Sequence, residues 1–495
     1  LCKAKINALN QKNMKKIQLV ITFGLSAFWG MAQLQDGIID LTFEPQLEPS
    51  SFVKSIAVLS NGQSIVGGTF SKGIARLNAD GGLDTDFLIG SGADSTVSIV
   101  KIQPNGKFLV GGNFTSFNGM PANMLIRLNS DGTSDPTFQT GSGFSSSLSS
   151  NWSPGMVKAI AMQPDGKIYV GGFFDEFNGI PVTNLVRLNA DGTLDASFDA
   201  GASTDKTIHC MVLQPDGKLL IGGDFFSYGG SVGIIHPFLA RVNTDGSADS
   251  LFINNIQFGP INVSEVTSLA LQSDLKILIG GRFNYMNGVT AKQIARLNAD
   301  GTLDNSFNLN ETIPSIYDEV NTIALQPDGK ILLGGSTQSW ISDTISRIIR
   351  LDADGLFDAT FITGNGVTGG DPYALALQND TKIVVGGNFN AYAQLARNGL
   401  VRLHNGETAA LLENEMNNLQ ISPNPSSGII QLALTSEWHN GTLTVVDLFG
   451  KKVVETIISA TGDCQEINLS DQQKGMYYVM IENAGQIHTS KVVLH

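Results

Sequence analysis

An all-β fold is predicted for this 495-residue chain: a seven-bladed β-propeller closed by an N-terminal strand, then a small Ig-like β-sandwich. Three observations predict the propeller. One phrase recurs seven times, its Gly-Gly pair beginning at Gly67, Gly111, Gly171, Gly222, Gly280, Gly334 and Gly386, at intervals from 44 (111−67) to 60 (171−111) residues. Each copy breaks short apolar runs with Gly- and Asp-bearing turns. One element of the repeat is displaced from the end of the array to its beginning. Periods of this size belong to propellers and solenoids, and a period near fifty accommodates four short strands.

The third copy shows the strands in order. The first covers residues 157–163, the second 167–174, the third 184–189 and the fourth 193–198. Between the first two, Pro164-Asp165-Gly166 fixes φ with proline and supplies φ > 0 with glycine, which makes a tight hairpin. Asn189-Ala190-Asp191-Gly192 turns the chain again before the fourth. No 3.6-residue period is sustained within the repeats, so helices are few. Ile160, Ala161 and Met162 run on without a polar break, the character of a strand covered on both faces. The Gly-Gly pair in the second strand lets neighbouring sheets approach.

Closure follows from phase. The fourth-strand signature Asp-x-x-Phe occurs at Asp40/Phe43, Asp84/Phe87, Asp135/Phe138, Asp195/Phe198, Asp249/Phe252, Asp304/Phe307 and Asp358/Phe361. One copy precedes the first repeat, and none follows the seventh, which ends at Val401-Arg402-Leu403-His404-Asn405-Gly406. The N-terminal copy therefore completes the last blade and removes an exposed sheet edge. An open solenoid has no use for this permutation.

The phrase Leu325-Gln326-Pro327-Asp328-Gly329-Lys330-Ile331-Leu332-Leu333-Gly334-Gly335, with Arg350-Leu351-Asp352-Ala353-Asp354-Gly355 downstream, resembles the delta-60 repeat of bacterial extracellular proteins. The resemblance spans residues 36–406 and implies a propeller on a secreted or surface scaffold. It implies no chemistry. The sixth copy departs at Gly334-Gly335-Ser336-Thr337, which lacks the usual Phe.

The two ends speak of export. Met14-Lys15-Lys16, an apolar run from Ile17 to Trp29 and the small-x-small site Gly30-Met31-Ala32 read as a secretory signal, with residues 1–13 either upstream of the start or an extended n-region. Residues 1–32 are thus outside the fold, 33–406 the propeller and 407–418 an acidic linker. The apolar run is too short to span a bilayer. Residues 419–495 alternate Val, Ile and Tyr between Gly turns, which reads as a small sandwich. Their motifs are Pro423-Asn424-Pro425 with Gly428, then Asp447 with Gly450 and Lys451, then Gly475 with Tyr477, and finally Lys491. In that order they resemble the type A C-terminal sorting domain of the type IX secretion system of Bacteroidetes. The resemblance implies passage through the periplasm and outer-membrane translocation. The partners it implies are the secretion machinery and its sortase-like peptidase, with release or anchoring at the surface to follow. His495 departs from the common basic ending.

Formal net charge is −14, with 15% charged residues and 55 glycines. That balance excludes the basic stripes nucleic acid requires and electrostatic adhesion to an anionic membrane. Cys2 precedes the mature chain, and Cys210 and Cys464 fall in different domains, so no disulfide framework is expected.

Function is expected where loops vary, on the face carrying the fourth-to-first and second-to-third connections, such as residues 139–155 and 253–265. Aligned first strands share one polar position: Lys54, Ser98, Lys158, His209, Thr267, Asn321 and Tyr373. Two residues on, the position is apolar: Ile56, Val100, Ile160, Met211, Leu269, Ile323 and Leu375. The first strand being innermost, the polar set rings the channel mouth. Residues after the Gly-Gly pair, Asp224 and Arg282 among them, lie near the same rim. Such a ring suits a glycan or a peptide carboxylate; a merely water-filled mouth is the plainer reading. No cofactor or metal is called for. The turn aspartates loosely resemble calcium loops but are explained by capping their own turns. His-x-x-x-His is absent from the sequence. Recognition of a glycan or protein ligand is thus the leading expectation. The alternatives are a polysaccharide hydrolase or lyase and a structural adhesion element. Carboxylates gathered about His209 or Tyr373 would favour an enzyme, and a mouth without a concave pocket would favour the adhesion element.

Overall fold

The computed structural model describes residues 36–147, 155–201, 203–229, 237–252 and 264–405, except 284, 287, 288, 291, 292, 308–316 and 338–346, and most of residues 421–494. The leader expected at 14–32, the linker at 407–418, and Pro423, Asn424, Pro425, Gly450 and Lys451 lie outside the described residues. The chain divides into two units, one being Asp36–Asn405 and the other containing Gly406–His495.

Among the described residues the first unit holds seven blade sheets, each of three antiparallel strands, one per repeat, beside smaller sheets of two-residue strands. In the third blade an inner strand, Met156–Met162, pairs with Ile168–Phe173, which pairs with Leu185–Leu188. The strand buried on both faces is the second one rather than the first. Ile168, Tyr169 and Val170 are completely buried, whereas alternate residues of Met156–Met162 remain half-exposed. The inner strand has a neighbour on one edge only, so its other edge looks into the channel.

Each glycine of the pair answers to a different neighbour. A Cβ on Gly172 would sit 2.0 Å from the Met156 carbonyl oxygen across the ladder. A Cβ on Gly386 would sit 2.6 Å from Val53 Cγ1, a side chain of the first blade. The first glycine therefore sets the approach of neighbouring blades, and the second sets a kink within one blade. Gly172→Ala must displace backbone and is expected to cost about 1–3 kcal/mol in denaturant unfolding.

A buried ionic unit, read from sequence only in part, joins blade to blade. Arg187 Nε meets Asp195 Oδ2 at 2.6 Å, and Lys167 Nζ meets the same oxygen at 2.9 Å. The guanidinium lies 4.9 Å from the Phe198 ring centre, and its Nη1 donates to the Thr244 carbonyl of the next blade at 2.5 Å. Equivalent arginines bridge the other junctions: Arg76 to the Ser130 carbonyl, Arg127 to Ala190, Arg241 to Ala299 and Arg296 to Ala353. At the sixth, Arg350 meets the side chains of Asn405 and Asp36.

The seventh unit takes half its parts from the N-terminus. Arg402 Nε donates to Asp40 Oδ2 at 2.8 Å, its guanidinium covers Phe43 at 4.7 Å, and its Nη1 donates to the Ala79 carbonyl of blade one at 2.5 Å. Ile39 bridges Leu403 in antiparallel register. Phe43, Val53, Val66 and Leu77 share a core with Val384 and Leu400, so the first and seventh blades pack together.

The expected fourth strand shrinks to one bridged residue per blade, such as Leu194 against Leu188. Asp195 ends it: its Oδ1 accepts the Ser197 amide at 3.0 Å, and the Phe198 amide donates to its carbonyl at 3.1 Å. That local turn competes with the ladder and swings Phe198 under the arginine. The length saved reappears in the second-to-third connection, where Glu176–Phe177 and Ile180–Pro181 form a short ribbon.

The C-terminal unit has two antiparallel sheets. One orders Ile421–Ser422, Ile429–Ala433 and Cys464–Asn468; the other orders Lys452–Ile457, Thr442–Asp447, Gly475–Asn483 and Gln486–Leu494. Ile430, Leu432, Leu443, Val445, Val479 and Val492 share one core between them. Tyr477 is buried in that core. Gly428 has φ 137°, and a Cβ there would meet Ser470 Oγ at 2.7 Å. Asp447, Gly475 and Lys491 lie within strands. Cys210 and Cys464 are both free thiols.

Candidate ligand site in the central channel

All seven inner strands carry the same irregularity. The pairing of inner and second strand slips by one residue between Val53 and Ser55, Val97 and Ile99, Val157 and Ala159, and Ile208 and Cys210. It slips again between Val266 and Ser268, Val320 and Thr322, and Pro372 and Ala374. The skipped residues are Lys54, Ser98, Lys158, His209, Thr267, Asn321 and Tyr373. A bulge leaves its extra residue unpaired and re-aims its side chain. The Gly-Gly pair opposite provides the room.

These seven bulged residues all line one axial cavity of about 700 Å3. Residues from every blade contribute to its wall. The mouth is concave and mixes charge, hydroxyl, amide and aromatic groups, as a binding pocket does.

Its charged side is a chain of contacts across blades three to six. Lys158 Nζ lies 2.9 Å from His209 Nδ1, and His209 Nε2 lies 3.3 Å from Glu265 Oε2 and 3.7 Å from Asp224 Oδ1. An ammonium can only donate, so Nδ1 accepts and the proton of a neutral ring resides on Nε2, facing the carboxylates. Arg282 continues the file, 3.5 Å from Glu265 and 2.8 Å from Glu319. The hydrogen bond from His209 lowers the Glu265 pKa more than burial raises it, with the charges of His209, Arg282 and Lys158 adding to the fall. Burial lowers the Lys158 pKa, against the pull of Asp224 and Glu265.

Across the mouth, Phe52 and Tyr373 form an aromatic pair with centroids 4.7 Å apart, and burial raises the Tyr373 hydroxyl pKa. Lys54 Nζ sits 4.9 Å from the Phe52 ring centre. Asn321 Nδ2 donates to the Pro372 carbonyl at 3.0 Å, and Thr267 Oγ1 donates to that of Val320 at 2.6 Å. The structure thus brings Lys158, His209, Asp224 and Arg282 into one network, gives Lys54 and Tyr373 to an aromatic edge, and commits part of Asn321 to a blade junction.

Three important residues were missed by sequence reasoning. Glu265 and Glu319 occupy the position two residues before the bulge, where other blades place Phe52, Thr96 and Met156. The same alignment, read backwards instead of forwards, would have found them. Lys101 lies three residues beyond Ser98 and also lines the cavity. The recurring turn aspartates spend their oxygens locally: Asp191 Oδ1 accepts from both the amide and hydroxyl of Thr193.

Two family descriptions match the sequence. The Domain of unknown function (DUF5122) beta-propeller matches seven times, at residues 59–87, 103–138, 163–198, 214–252, 272–307, 326–361 and 378–406. The Secretion system C-terminal sorting domain matches residues 420–495. Among solved structures, the chain is similar to PorZ, a surface component of the type IX secretion system of Porphyromonas gingivalis. The identity is 14% and the TM-score 0.46, over 92% of this chain and 61% of PorZ. The chain therefore spans less than two thirds of PorZ. It is also similar to virginiamycin B lyase from Staphylococcus aureus, with 12% identity and TM-score 0.45 over 72% of this chain and 94% of the lyase. No curated protein matches the sequence.

Proposed function

We propose that this chain, built of seven DUF5122 β-propeller repeats and carried to the cell surface by its type IX sorting domain, is a recognition module that binds its ligand in the central channel. The observation that carries the reading is the set of seven bulges. Every blade spends a local irregularity to aim one side chain into a single cavity, and the seven side chains are of six different types. A scaffold that needed only a filled or wetted axis has no need of them. A glycan or the polar segment of a surface protein fits such a wall.

A binding screen against bacterial, plant and host glycans and surface proteins tests this. Retention is expected, and Tyr373→Ala or His209→Ala should weaken it by about tenfold or more, since truncation strands buried polar partners or removes the aromatic edge. Equal retention by both variants would move binding away from the channel.

One observation favours a second reading, an enzyme acting on polysaccharide. The carboxylates Glu265 and Asp224 do gather about His209, and Lys158 stands on its other side. A histidine so flanked has the partners of a general acid or base. Cleavage products that vanish in His209→Ala, during long incubation of the same screen, would establish it.

A further inference from the structure

The geometry points to a carboxylate subsite on the channel wall of blades one to three, formed by Lys54, Lys101 and Lys158 and suited to an acidic oligosaccharide. This deepens the reading of the channel as a binding site and rests on it.

Charge divides the cavity by arc. Blades four to six contribute Glu265 and Glu319 to the wall, with Asp224 beside them, and these are engaged by His209 and Arg282. Blades one to three contribute only lysines to the charged wall. Among the described residues no carboxylate forms an ion pair with any of the three. Lys158 contacts His209 Nδ1, and Lys54 rests over Phe52. Burial lowers the pKa of all three, and Lys54 further lowers that of Lys158 by repulsion. A chain of net charge −14 has placed three lysines along one arc of its channel with no carboxylate paired to them. A ligand carboxylate supplies what they lack.

Lys101 is the telling member. At its position the other blades carry Ala57, Ala161, Val212, Ala270, Ala324 and Ala376. The fold therefore has no need of a lysine there, and Lys101 answers to something else.

The same wall favours a sugar over an extended peptide. Thr96, Ser98 and Asn113 line it among the lysines and can meet hydroxyls, while the Phe52–Tyr373 edge offers a face to a pyranose ring. A peptide bound as an added strand needs free backbone groups on the inner edges. Several are already taken by neighbouring blades. Ser55 Oγ accepts the Val100 amide at 3.0 Å, Ser268 Oγ accepts the Ile323 amide at 3.0 Å, and the Val320 and Pro372 carbonyls accept from Thr267 and Asn321.

Calorimetric titration of the purified protein with tri-galacturonate, its neutral methyl ester and triglutamate tests the inference. Tri-galacturonate should bind and weaken as salt is raised, the ester should bind at least about tenfold less well, and Lys101→Ala should lose about the same factor. That variant installs the residue most other blades carry, so its melting temperature should match the parent. Lys54→Gln should weaken the same ligand. Equal binding of acid and ester, or an unchanged Lys101→Ala, overturns the subsite. If the ester binds as well and depends on Tyr373, the channel site stands and the carboxylate assignment alone fails. Triglutamate binding as tightly as the uronate overturns the sugar in favour of an acidic peptide, and silence from all three overturns both.

Discussion

Asp40→Ala should destabilise the propeller by roughly 3–5 kcal/mol, because it leaves the Arg402 guanidinium buried with its main counter-charge gone. Asp40 is 1% exposed and receives Arg402, Lys382 and the amide and hydroxyl of Thr42. The loss falls where Ile39 pairs with Leu403 and where Arg402 reaches the Ala79 carbonyl. Denaturant unfolding of the variant measures it. Deleting residues 36–44 should cost more, since Ile39 and Phe43 leave their cores as well. Unchanged unfolding in both would mean that the N-terminal segment does not hold the last blade. The pair also has an acid signature. Burial raises the Asp40 pKa, but hydrogen bonds from Thr42 and the charges of Arg402 and Lys382 outweigh it and lower the value from 3.8 to about 2. A depressed folded pKa contributes stability above the unfolded value, and that contribution is lost as pH falls through the folded one. The parent should therefore lose about 2 kcal/mol between about pH 4 and pH 2 from this group, and Asp40→Ala should lack that portion of the loss.

Removal of residues 420–495 should abolish delivery to the surface while leaving the propeller folded in the periplasm. The sorting domain is the signal that the secretion machinery reads, and its core is made of its own residues, from Ile430 to Leu494. Surface protease accessibility and cell fractionation check the outcome. Normal surface display of the truncated chain would contradict the role of the tail. Tyr477→Ala should give a weaker version of the same defect, because that motif residue is buried in the domain's core.

The ring was legible because its constraints are local and repeated. Gly386 must clear Val53, and each other pair clears the next blade in turn, so the same two letters return seven times. The out-of-phase Asp40 announced the join. What sequence could not display was the purpose of the pieces it repeated. Arg187 and Asp195 stand eight residues apart and Arg402 and Asp40 stand 362 apart, yet they form the same ion pair. Only the folded ring equates them. The polar row was visible in the aligned first strands, but the bulge behind it depends on the register of two strands, which no single strand encodes. Glu265 and Glu319 escaped because their significance lies in Arg282, which the inner strand does not contain: it stands opposite Glu265 in the ladder of the same blade and reaches Glu319 in the next.

The bulges have a consequence for how such a protein changes. A skipped residue takes no part in the ladder, so its identity is uncoupled from the pairing on either side. Lys, Ser, Lys, His, Thr, Asn and Tyr occupy seven equivalent sockets, while the glycines opposite and the arginines behind stay the same. The ring thus resembles a combination lock whose dials turn one at a time without opening the case. The lining of the channel can change by a few substitutions at sockets such as Lys54 and Ser98, whereas Thr267 and Asn321 also hold the next blade.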